Sequence, residues 1–85
     1  MDKFVKYMNE IKQFIEKYVK EILNEKHAAV DIETAAIGDY LDSLDIVDVV
    51  YATEKEFDVE MGDEYFFTVH DRTITEVAEY FSKKR

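Results

Sequence analysis

The 85-residue chain contains no cysteine, no proline and no tryptophan, and only two glycines, Gly38 and Gly62. Without cysteine there is neither a disulfide framework nor a thiolate nucleophile, so any thiol chemistry must come from an added group. The missing prolines and scarce glycines remove the usual helix breakers, which points to a helix-rich chain. No apolar run approaches the roughly 20 residues of a membrane span. The start, Met1-Asp2-Lys3-Phe4, lacks the apolar stretch of a secretory signal. No membrane insertion is expected, and a cytoplasmic location is the default. A chain of this length makes one domain, 1–85, and buries only roughly 60% of its unfolded surface, so its core is modest.

Basic charge is scarce where acid is dense. The net charge of −9 is unevenly placed: residues 31–64 hold twelve acids and a single base, Lys55, while the segments on either side are each close to neutral. An acidic middle repels nucleic-acid phosphates and so excludes that partner class. It attracts partners with basic patches through long-range fields.

Along the chain, residues 2–24 read as a first helix. Phe4, Met8, Ile11, Ile15, Tyr18 and Ile22 recur at spacings of four and three, and Phe14, Val19 and Leu23 widen that stripe into a core face. Residues 25–42 carry sparse apolar residues without a period and read as a long loop pinned by Val30, Ile32, Ile37 and Leu41. Loops of this length in a small domain are often functional. Residues 43–57 form a second helix, about 22 Å long. Ile46, Val49, Val50 and Phe57 face inward with Thr53 among them. Leu44, Val47 and Tyr51 share another face, and Asp45, Asp48, Glu54 and Glu56 point outward or flank the groove. After a link over 58–62, Asp63 is expected to cap a short third helix over 64–69, with Phe66 and Val69 packed inward. Thr73-Ile74-Thr75-Glu76 matches a capping box for a fourth helix running to about 82, with Ile74, Val77, Ala78 and Phe81 inward and Lys83, Lys84 and Arg85 at its C-terminus. The fold class is all-α: an antiparallel four-helix bundle with a long first loop and a short third helix.

One stretch stands apart. In Leu41-Asp42-Ser43-Leu44-Asp45, Ser43 lies where the loop gives way to the second helix. The ordinary reading makes Asp42 or Ser43 an N-cap, since a short oxygen side chain accepts the free N–H groups of a first turn. The sharper reading makes Ser43 a covalent attachment point, where a phosphodiester on Oγ would sit at the positive end of a helix dipole. The residues alone leave both open.

From Leu41 to Met61 the chain resembles the acyl carrier protein family. Asp42-Ser43-Leu44 alone is a weak motif. With Val47, Val50, Glu56-Phe57 and Met61 in register it is a specific one. The likeness covers most of the chain and is loosest in the first helix. It implies that Ser43 carries a 4'-phosphopantetheine arm, transferred from coenzyme A by a phosphopantetheinyl transferase, whose thiol holds acyl groups as thioesters. It further implies delivery to fatty-acid or polyketide pathway enzymes with basic docking patches, through Asp42, Leu44, Asp45, Val47, Asp48, Tyr51 and Glu54. A monomer is expected. Two departures are visible: Tyr40 stands where many fatty-acid carriers have glycine, and Gly62 where many members have proline. The rival within the family is an aminoacyl carrier, such as a D-alanine carrier or a stand-alone peptidyl carrier. The rival outside it is a helical interaction module in which Ser43 is only a cap. If a fatty chain enters the bundle, Ile46, Val49, Val50 and Phe57 would line its channel. Thr53 in that row predicts a narrow pocket that leaves short or polar groups in solvent.

No catalytic constellation is evident. His27 and His70 are the only imidazoles and read as surface residues, neither with a metal-ligand companion at helical spacing. Asp42, Asp45 and Asp48 would attract a cation only weakly, lacking the glycine and terminal Glu of an EF-hand loop. The chain reads as a substrate for enzymes, without activity of its own.

Overall fold

A computed structural model describes residues 3–26 and 30–84, so the expectations for His27 and Arg85 lie outside it. Helix α1, Lys3–Lys26, crosses the molecule and packs along the other long helices. Its buried row is Ile11, Ile15, Val19 and Leu23, while Met8, Phe14, Tyr18 and Ile22 lie half-buried beside it. Ile11 and Ile15 are buried as expected, but toward the C-terminal end the buried row passes to Val19 and Leu23, expected only to widen the stripe, and Phe4 at the first turn is exposed.

The loop from 30 to 42 is held at several points. Asp31 folds it locally, its carboxylate accepting from the Glu33 N–H and the Thr34 hydroxyl. Lys12 Nζ ties it to α1, lying 3.4 Å from Glu33 and 3.9 Å from Glu16. Ile32, Ile37 and Leu41 are buried as expected, but Val30 is exposed. A 3-10 turn at Ile37–Asp39 packs against a second one at Val69–Asp71, and the Ile37 N–H donates to the Arg72 carbonyl at 2.8 Å.

Helix α2, Ser43–Phe57, matches its expected bounds. Ile46, Val49, Val50 and Thr53 are buried. Phe57 is only partly buried, because it sits edge-on to Tyr7 and Phe14 of α1 near the end of the helix. Asp58 ends α2 in the left-handed region at φ 54°, its N–H donating to the Glu54 carbonyl. Short polar residues tolerate that conformation better than most.

Helix α3 is a single turn, Asp63–Phe66, shorter than expected. Gly62 occupies the cap position, and Asp63 is the first helical residue with no capping bond. Thr68 ends the turn, since both its N–H and its hydroxyl donate to the Tyr65 carbonyl. The chain then tightens into the Val69–Asp71 3-10 turn, which still buries Val69. What holds α3 is aromatic: Tyr65 stacks on Tyr80 of α4 with centroids 3.7 Å apart, and the Gly62 N–H donates to the Tyr80 hydroxyl at 2.9 Å. A proline at 62 would lack that donor. Helix α4, Ile74–Lys83, opens on the expected capping box, with both Thr73–Glu76 bonds present. It buries Ile74, Val77, Ala78 and Phe81 against α1. The architecture is all-helical, with four helices and no strand among the described residues.

Candidate functional site

The start of α2 divides its work between two neighbours. Asp42 is the N-cap, its carboxylate accepting the Asp45 N–H at 2.9 Å. Ser43 is the first helical residue, is exposed, and its hydroxyl enters no hydrogen bond among the described residues. The capping duty that left Ser43 ambiguous thus belongs to Asp42.

An apolar cleft of about 390 Å³ opens beside Ser43. Leu41, Ile46 and Val47 line it together with Phe66, Phe67 and Val69, and Gly38 and His70 also border it. Further down the same flank of α2 lies a second cleft of about 310 Å³, bordered by Val47, Val50, Tyr51, Met61 and Phe66. Both differ from the expected channel. Ile46 and Val50 border them, but Val49, Thr53 and Phe57 do not. The reason is helical phase: 46, 47, 50, 51 and 54 form one face turned toward residues 61–71, whereas 49, 53 and 57 form another. Thr53 is fully buried, and its hydroxyl donates to the Val49 carbonyl one turn back at 2.8 Å. Its polarity is satisfied within the helix and does not face a cleft.

Leu44, Val47 and Tyr51 stand out from α2, at 76%, 47% and 58% exposure. Exposed large apolar residues on an acidic helix suit contact with another protein. Asp48 and Glu56 are exposed and Asp45 half-buried. Lys55 Nζ lies 5.2 Å over the Tyr51 ring. Glu54 differs from the other acids of α2, because its Oε2 accepts the Met61 N–H at 2.8 Å and holds the link to α3. Phe67, 76% exposed, and His70 also line the first cleft, although neither was expected to serve the site. Neighbours on a helix point about 100° apart, which puts Phe66 inward and Phe67 partly outward. No group of three or more His, Cys, Asp or Glu side chains could hold a metal ion among the described residues. No helix there is long and apolar enough to cross a membrane.

The structure is a small all-α fold that presents an exposed serine at the start of α2, on an acid-rich face. The chain is 42% identical over 59 residues to an acyl carrier protein of Buchnera aphidicola subsp. Schizaphis graminum, covering 67% of this chain and 73% of the relative. It is 41% identical over 71 residues to an acyl carrier protein of Bdellovibrio bacteriovorus, covering 78% of this chain and 88% of the relative. The chain belongs to the acyl carrier protein family. Members of that family are carriers rather than enzymes and normally bear phosphopantetheine. No family model matches the chain, and no solved structure matches it.

Proposed function

We propose that Ser43 is the attachment point of a 4'-phosphopantetheine arm and that the protein delivers acyl groups, held as thioesters, to enzymes of fatty-acid or polyketide synthesis. The observation that carries the reading is Ser43 itself: exposed, first in α2, and relieved of capping by Asp42. The site suits the group. An uncommitted hydroxyl is available for a phosphodiester, and the N-terminus of a fifteen-residue helix favours the negative charge such a linkage carries. When bound, the arm supplies the thiol that this cysteine-free chain lacks.

The chain's own residues do the rest. Leu44, Val47 and Tyr51 offer apolar contact to a partner docking over the serine. Asp45 and Asp48 draw in a basic surface from a distance. Such contacts speed encounter more than they tighten binding, so the carrier can leave for its next enzyme. A phosphopantetheinyl transferase is the first partner in this scheme.

The test is incubation with a broad-specificity transferase and coenzyme A, followed by peptide mass mapping. The expected result is an adduct on Ser43 that is lost in Ser43→Ala. An unmodified wild type, or an adduct that persists in Ser43→Ala, overturns the reading and favours an interaction module.

A further inference from the structure

The two clefts beside α2 are successive stretches of one groove. Between Ser43 and Glu54 the lining advances about 16 Å along the helix axis at the ordinary rise. Val47 and Phe66 are the two residues that border both stretches. The two differ in how they are held. Val47 is β-branched, on a fifteen-residue helix, with a single preferred rotamer. Phe66 belongs to a one-turn helix that buries none of its residues.

We propose that Phe66 sets the length of acyl chain this protein can shelter. The proposal rests on the reading of Ser43 as the attachment point. A short chain carried there reaches the near cleft, whose walls include Leu41, Ile46 and Val69. A longer chain meets the Phe66 ring, and its end turns outward past the exposed Phe67. Beyond Phe66 the groove continues over Val50 and Met61 and closes at the Glu54 carboxylate, which the Met61 N–H holds in place. Truncating Phe66 joins the stretches into one apolar groove with a polar far end.

The experiment loads wild type, Phe66→Ala and Phe66→Leu with butyryl and with octanoyl groups, using a broad transferase and the matching acyl-coenzyme A. Each product is verified by intact mass and then melted. Comparing the two acyl forms within each variant cancels the variant's own change in stability. In the wild type the two midpoints should coincide. In Phe66→Ala the octanoyl form should melt about 5 °C or more above the butyryl form, because withdrawing two or more methylenes from water moves a domain of this size by that much. Phe66→Leu, the milder change, should show a smaller gap in the same direction and decides the matter if the alanine variant does not fold. A clear rise with chain length already in the wild type, or no gap in the folded variants, overturns the role of Phe66 and leaves the carrier reading intact. Absence of any adduct on wild-type Ser43 overturns the carrier reading and this proposal with it.

Discussion

A Cβ on Gly38 would lie 2.7 Å from the His70 carbonyl oxygen and 2.9 Å from the His70 Cβ. Gly38 thus serves the contact between the loop before Ser43 and the turn before α4. Gly38→Ala should force the two turns apart and destabilise the fold by about 1–3 kcal/mol, as overpacking against backbone does. Urea titration measures it. An unchanged midpoint would show that the turns can separate at no cost.

Tyr40 carries a hydroxyl that is buried without a hydrogen-bond partner. Burial first, then the carboxylates of Glu16 and Asp39, pushes its pKa up to about 12. A raised acid pKa means the neutral form is favoured in the fold. Its contribution is complete below the ordinary tyrosine value of 10 and is lost as pH rises toward 12. Tyr40→Phe should be neutral to about 1 kcal/mol stabilising at pH 7, since an unsatisfied hydroxyl disappears. Its alkaline unfolding should begin at higher pH than in the wild type. Melts at pH 7 and from pH 8 to 12 check both outcomes.

The Thr73–Glu76 box is expected to dominate the stability of the α4 start. Thr73→Ala should cost about 1 kcal/mol. The hydrogen bond from the Thr73 N–H holds the Glu76 carboxyl below its usual value. A lowered carboxyl pKa gives stability that is present above the unfolded value of about 4.5 and fades as pH falls through the folded one. Glu76→Gln should therefore show a shallower loss of stability on acidification below that pH. Thermal midpoints between pH 3 and 7 measure the slope.

Glu54 and Asp48 are both acids of α2, but a change of charge should affect them differently. Asp48→Lys touches an exposed residue and should leave the melt nearly unchanged, while slowing transfer to a basic partner and weakening its salt dependence. Glu54→Lys removes the acceptor of the Met61 N–H and should cost about 1–3 kcal/mol. Equal melts for the two variants would show that Glu54 contributes nothing to the link.

The local features of this fold could be read from local sequence. The Thr73–Glu76 spacing marks the α4 start because both partners of the box lie within one turn. The place of Thr53 was misjudged, since it lines neither cleft, and its hydroxyl is satisfied by the Val49 carbonyl one turn back on its own helix. The start of α2 at Ser43 was equally legible. The flank of α2 that bears the clefts was not, because it depends on where residues 61–71 dock. That docking comes from Tyr65 on Tyr80, Gly62 on Tyr80 and Gly38 against His70, all pairs far apart in the chain. The length of α3 was also hidden, because Thr68 turns its hydroxyl back onto the Tyr65 carbonyl, a choice the hydrophobic period does not report.

The Asp42 cap has a consequence for modification. Its carboxylate takes the Asp45 N–H, so a substituent on Ser43 Oγ removes no hydrogen bond on which the helix start relies. The remaining N–H groups of the first turn have no intrahelical partner and stay available to a negative charge placed there. Substitution at the serine should therefore leave the start of α2 in place.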